Sequence, residues 1–248
     1  MSEQSPWIQR FHPAPEASSR LVCLPHAGGA SSYFHPVSAA LSPGLDVLAV
    51  QYPGRQDRRL EPVLTSIDDL ADGVHDALAP WLDRPLSIFG HSMGAMVGYE
   101  VARRLTKAGH PPVTLIVSGR RAPDRYRDES IHTRSDAGVI AEIQRLGGTD
   151  AQLLSDPELR AMVLPAVRGD FQAVETYRHT EGPQLTCPVQ ALLGDRDPMA
   201  TLEETNGWAE HTTGAFELKT FPGGHFYLGE HAPAVIATIR DHIARLTT

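Results

Sequence analysis

Short apolar runs alternate along this chain with longer stretches in which apolar residues recur every three or four positions. Arg20 to Pro25, Val47 to Tyr52, Leu86 to Phe89, Val113 to Val117, Val189 to Leu193 and Phe216 to Phe221 read as strands. Val113 to Val117 is apolar almost throughout, as a strand must be when helices cover both faces of a parallel sheet. Between these runs the period becomes helical. Ile67, Leu70, Val74 and Leu78 follow Ser66, with Asp68 and Asp69 suited to the positive end of a helix dipole. Ala95, Met96, Val97, Tyr99, Val101, Ala102 and Leu105 form a second apolar face, and Tyr33 to Leu41 and Thr201 to Glu210 read as further helices. Val235, Ile236, Ile239, Ile243 and Leu246 mark the buried side of a closing helix, Ala232 to Leu246. Repeated strand-helix units predict an α/β fold, with a mainly parallel central sheet in three layers. Residues 1–19, rich in Pro, Ser and Glu, read as an extended lead-in carrying Trp7, Ile8 and Phe11 onto the body.

The alternation breaks between Arg120 and Pro183, where helical pieces fall at Ala137 to Leu146, Pro157 to Val167 and Phe171 to Tyr177. That stretch is too long for an ordinary crossover and predicts a helical insertion, approximately 120–183, over one end of the sheet. Gly147-Gly148 and Gly169 interrupt its helices, as hinges or equally as rigid turns.

With 248 residues and 41% apolar content the chain holds enough material for one substantial core, and no linker run divides it, so 1–248 reads as a single domain. A net charge of −8 disfavours general affinity for nucleic acid or an anionic membrane. No secretory pattern or membrane-length apolar run occurs, so a cytoplasmic protein is expected. Cys23 and Cys187 lack metal or redox spacing and read as small buried hydrophobes.

Candidate chemistry lies where the predicted strands end, the side on which α/β sheets bind their ligands. Gly90-His91-Ser92-Met93-Gly94, between a strand and a helix, has the form of a nucleophile elbow. Its glycines free the tight turn that presents the Ser92 hydroxyl, and the following helix start aims the Met93 amide at developing negative charge. Ser92 is followed by Asp197 and then His225, the chain order of a serine nucleophile, its acid and its base in an α/β-hydrolase. A serine hydroxyl needs a base, and the imidazole needs a carboxylate to orient it and stabilise its charge. His225 follows a late strand in a glycine-rich loop, whereas His26, His91, His211 and His231 are weaker candidates for that base. Within Gly194-Asp195-Arg196-Asp197-Pro198, Asp197 lies deeper in the loop, and Asp195 is expected to tie the loop down through backbone hydrogen bonds. Asp170, read as lying at a turn of the insertion, ranks third. The second oxyanion donor is expected from the loop after the first strand, His26-Ala27-Gly28-Gly29, with the Ala27 amide best placed. Gly28-Gly29 lacks the rest of a phosphate-loop or dinucleotide signature, and no cluster has metal spacing. Arg55, Arg58, Arg120 and Arg121 read equally as solvated charges or as functional groups, and Met96 as core.

These motifs together resemble the type II thioesterases that accompany modular polyketide synthases and non-ribosomal peptide synthetases. The likeness rests on Leu24-Pro25-His26-Ala27-Gly28-Gly29-Ala30, Gln51-Tyr52-Pro53-Gly54-Arg55, Phe89-Gly90-His91-Ser92-Met93-Gly94-Ala95, Ser118-Gly119-Arg120-Arg121-Ala122-Pro123, the Gly194 to Pro198 loop and Phe221-Pro222-Gly223-Gly224-His225-Phe226. It spans Leu21 to about Leu246. The resemblance implies an α/β-hydrolase with Ser92, Asp197 and His225 as catalytic residues and Ala27 and Met93 as oxyanion amides. It implies hydrolysis of stalled or mis-primed acyl groups from the phosphopantetheine arm of acyl or peptidyl carrier proteins, met transiently by a monomer with no cofactor of its own. The insertion then becomes a mobile lid over a permissive, largely apolar acyl pocket. His26 stands where the family often has Tyr or Phe. A small-molecule carboxylesterase or lipase, and a catalytically silent binding protein on the same scaffold, are the alternatives.

Overall fold

The computed structural model describes residues 5–147 and 156–247. Seven strands form one sheet: β1 (Ile8–Gln9), β2 (Arg20–Leu24), β3 (Asp46–Val50), β4 (Leu86–His91), β5 (Leu115–Ser118), β6 (Val189–Gly194) and β7 (Phe216–Phe221). Their spatial order is β1-β3-β2-β4-β5-β6-β7, parallel throughout except for β1. The lead-in thus contributes an edge strand, with Ile8 opposite Val50 and Gln9 opposite Ala49. Two residues are too few for an alternation to announce them.

The strands' period of two divides the core. Val22, Leu24, Leu48, Ile88 and Val117 face α2 (Ile67–Leu78) and α3 (Met93–Lys107). Leu21, Cys23, Val47, Phe89 and Ile116 face α1 (His35–Leu41) and α8 (Ala232–Thr247). Local chemistry starts the helices where the polar residues stand: Ser66 caps α2 by accepting from the Asp69 amide, and Thr201 with Glu204 forms a reciprocal capping box on α6 (Leu202–Asn206). The helix read over Thr201 to Glu210 is therefore shorter, continuing as a 3-10 turn over Gly207–His211. The short α7 (Tyr227–Glu230) precedes α8.

The insertion carries α4 (Asp136–Leu146) and α5 (Pro157–Thr176). Instead of two pieces with a break at Gly169, α5 is one continuous helix, with Asp156 capping it through the Glu158 and Leu159 amides. Gly169 serves close packing, since a Cβ there would lie 2.4 Å from Val63 Cγ1. Gly147 ends α4 in the left-handed conformation at φ 79°. Gly148, Leu153 and Leu154 lie outside the described residues. A third apolar cluster joins Ile131, Val139 and Ile143 to Leu164, Val167 and Phe171, with Ala27 packed against it, so α4 and α5 lie over the loop that follows β2. Among the described residues no helix is long and apolar enough to cross a membrane.

Candidate active site

Ser92 sits between β4 and α3 with φ 55° and ψ −117°, a strained conformation for a residue with a side chain. The turn closes because its glycines carry no Cβ. At Gly90 one would lie 2.1 Å from the Gly94 carbonyl oxygen, and at Gly94 one would lie 2.1 Å from that of Leu24. The Ser92 amide donates to the Ser118 carbonyl at 2.8 Å, fixing the turn to the end of β5.

His225 Nε2 lies 2.9 Å from Ser92 Oγ, and His225 Nδ1 lies 2.9 and 3.0 Å from the two Asp197 carboxylate oxygens. A carboxylate only accepts, so Nδ1 carries the proton and Nε2 is left as the acceptor facing the serine hydroxyl. Asp197 is buried and also accepts from the Met199 amide at 2.8 Å. Asp195 points elsewhere, taking the Gly223 amide at 2.8 Å, which is the loop-tying contact expected of it.

Other histidines take different places. His91 is buried beside His225, ring centroids 4.9 Å apart, and its Nδ1 lies 3.0 Å from Ser118 Oγ, which is 2.6 Å from the Tyr227 hydroxyl. Burial, reinforced by the His225 and His26 charges, holds its pKa well below the usual imidazole range. His26 packs edge-on against Phe226 and Tyr33, and burial, with His225 and Arg55, lowers it to about 3. His211 is buried with Nε2 3.0 Å from Asp124, and His231 is partly exposed ahead of α8.

Asp170 is not at a turn. It is fully buried within α5, where it accepts from Arg55 Nη1 at 2.6 Å, from Arg55 Nη2 at 2.8 Å and from the Gly28 amide at 2.7 Å. Arg55 Nη1 also donates to the Gly29 carbonyl at 3.1 Å. This bracket holds the loop containing Ala27. No sequence spacing signals it, because its two ends are 115 positions apart. Ala27 lines the same pocket as Ser92, and the amide of Met93, first residue of α3, has no acceptor within its own helix. Of the two residues expected to supply oxyanion amides, Ala27 thus lines the pocket and Met93 directly follows Ser92.

All four arginines that admitted a solvated reading are buried. Arg58 pairs with Glu61 and lies over Trp7, and Arg121 pairs with Glu129. Arg120 lines the Ser92 pocket together with Glu129 and Glu175, so a wall expected to be apolar carries three charged groups beside Ile143, Val167, Phe171 and Val174. The Ser118 to Arg121 motif, placed directly after a strand, is the one sequence signal that marked Arg120. Met96 packs in the core, and Cys23 and Cys187 are buried free thiols. Among the described residues no group of His, Cys, Asp or Glu is placed to hold a metal ion.

The thioesterase domain family model matches residues 19–243. Thioesterase PikA5 of Streptomyces venezuelae is 52% identical over 239 residues, covering 96% of this chain and 85% of that protein. A probable cadicidin biosynthesis thioesterase of Streptomyces griseus is 50% identical over 92% of this chain, which spans 63% of that protein's length. Among solved structures, the type II thioesterase BorB from the borrelidin biosynthetic cluster superposes with a TM-score of 0.91 at 49% identity, covering 98% of this chain and all of that one.

Proposed function

This chain belongs to the thioesterase domain family, and from that premise we propose that it is a serine hydrolase of acyl thioesters carried on the phosphopantetheine arm of carrier proteins, in polyketide or non-ribosomal peptide biosynthesis. The observation that carries the reading is the hydrogen-bonded chain from Ser92 through His225 to Asp197, inside a pocket roofed by α4 and α5.

In the reaction, Ser92 Oγ adds to the thioester carbon while His225 Nε2 takes the hydroxyl proton. Asp197 holds the imidazole and balances its positive charge. The amides of Ala27 and Met93 receive the tetrahedral oxyanion, each such donor contributing about 3 kcal/mol. As the carbon–sulfur bond breaks, His225 returns its proton to the pantetheine sulfur, leaving an acyl ester on Ser92. Water then attacks that ester with His225 again as base, and the carboxylic acid leaves with Ser92 restored. None of these steps draws on a cofactor. The chain acts as one domain and as a monomer toward a transient carrier-protein partner, with the helical segment at about 120–183 as the lid of the acyl pocket. Names among its relatives tie such proteins to biosynthetic clusters, which supports an editing role that clears stalled acyl groups.

Ser92→Ala should remain folded and lose hydrolysis of an acyl-carrier thioester by at least about 1,000-fold. Intact-protein mass spectrometry with a slow substrate should show one added acyl group on the wild type and none on the variant. Rapid turnover by purified S92A would defeat the assignment. If the free oxygen ester of the same acyl group were cleaved as efficiently as the carrier thioester, the protein would be a small-molecule esterase instead.

A further inference from the structure

Arg120 is two residues beyond the end of β5, at the same carboxyl end of the parallel strands as Ser92, and its carbonyl accepts from Trp208 Nε1 at 2.9 Å. The residue is only 6% exposed. Among the described residues its guanidinium makes no hydrogen bond and no ion pair, and its buried Nε has no partner. The other buried arginines among the described residues are all engaged: Arg121 by Glu129, Arg55 by Asp170, Arg58 by Glu61 and Arg20 by Asp46 and Asp83. Nor are the two carboxylates of the pocket free to serve Arg120. Glu129 binds Arg121, and Glu175 accepts from the amides of Ile131 and His132 and from the His132 ring. A cation remains without an acceptor of its own, in the wall of the pocket that holds Ser92 and His225. Burial, with the charges of Arg121 and Arg127, pushes its pKa down to about 9 against the opposing charges of Glu129 and Glu175.

A buried donor without a partner is costly, and a ligand oxygen that satisfies it gains accordingly. Two acceptor chemistries fit a guanidinium, a carboxylate and a neutral oxygen. Glu129 and Glu175 line the same pocket and oppose an incoming carboxylate, while Arg121 and Arg127, whose charges act the other way, stand outside its lining and Arg121 is taken up by Glu129. We propose that Arg120 is a specificity-determining residue that donates to a neutral ketone or hydroxyl oxygen on the acyl chain bound at Ser92. The pocket then favours partly processed, oxygen-bearing acyl groups over saturated ones of equal length. This rests on the reading of Ser92 as the residue that accepts the acyl group.

The test uses N-acetylcysteamine thioesters of butyryl, 3-hydroxybutyryl, 3-oxobutyryl and malonyl groups, with the wild type, R120M and R120K. The readout is each substrate's kcat/KM divided by that of butyryl, which cancels a general loss of activity. In R120M the ratios for the two neutral oxygenated groups should fall by about ten- to a hundred-fold, the value of a charge-assisted hydrogen bond, and R120K should recover part of that loss. Should R120M not fold, R120Q replaces it under the same ratio test. Unchanged ratios in a folded variant would show that Arg120 only supports the fold and would overturn the proposal. A larger fall for malonyl than for the neutral groups would overturn it in favour of anion recognition. Failure of the wild type to cleave any of the four would defeat the thioesterase reading itself, a result separable from the other two.

Discussion

Two aspartates two positions apart in one loop end in different environments, and the difference lies in backbone direction. The Asp197 amide closes a turn onto the Gly194 carbonyl at 3.1 Å, which carries its side chain inward to His225, while Asp195 stays exposed and accepts from the Gly223 amide. Asp197→Asn removes the acceptor that selects the His225 tautomer, so kcat should drop by about 1,000- to 10,000-fold. Asp195→Asn keeps a side-chain oxygen for Gly223 and should stay within about ten-fold of wild type. Steady-state kinetics on one thioester decides between them. Near-normal kcat/KM in D197N with an inactive, folded D195N would mean the two roles are reversed.

Among the elements, α5 differs most from its expectation. Instead of hinging at Gly169 it is fastened to the body there, by Val63 against Gly169, by Val167 against Gly28 and by the Arg55–Asp170 bracket. The same carboxylate holds the Gly28 amide, so the position of the helix and that of the loop carrying Ala27 are joined. Asp170→Asn leaves Arg55 buried without its counter-charge and should destabilise the protein by about 3 to 5 kcal/mol. It should also lower kcat more than it raises KM, because the role proposed for the Ala27 amide is to serve the oxyanion rather than the ground state. Urea unfolding and steady-state kinetics measure the two effects. An unchanged unfolding midpoint would show that the bracket does not secure the helix.

At the scale of the whole molecule, several histidines are folded in the neutral form. His26 is lowered to about 3 and His91 well below the usual range, chiefly by burial in both, and His179 and His242 are lowered for the same reason. Below about pH 6.5 the unfolded chain protonates these groups more readily than the native state does, so the unfolded state binds more protons. Stability from this source is complete above pH 6.5 and is lost as pH falls toward the folded values. The carboxylate Glu204, where burial opposes but Arg127 and the cap at Thr201 prevail to hold it at about 2, adds its own loss only below about pH 4.5. Between pH 6.5 and 5 the histidines therefore dominate. Tm should fall across that interval, and His26→Phe should flatten the slope. Parallel Tm curves for H26F and the wild type would show that His26 is not held neutral.

Sequence alone determined what depends on neighbours along the chain. The alternation of apolar runs with helical periods specified strands β2 to β7 and the parallel order of layers, because each strand's two faces and each helix's one face must be buried. Gly90 and Gly94 marked the turn at Ser92, since only a residue without Cβ lets those backbones touch. The loops holding Asp197 and His225 were legible for the same reason, standing directly after strands. Only the tertiary structure decided which charges are buried and whom they meet. Arg55 and Asp170 come together from 115 positions apart, Arg120 is left without a partner among the described residues, and α5 runs unbroken through Gly169. A charged residue reads the same in a sequence whether water or protein surrounds it, and its burial is settled by the packing of elements distant in sequence.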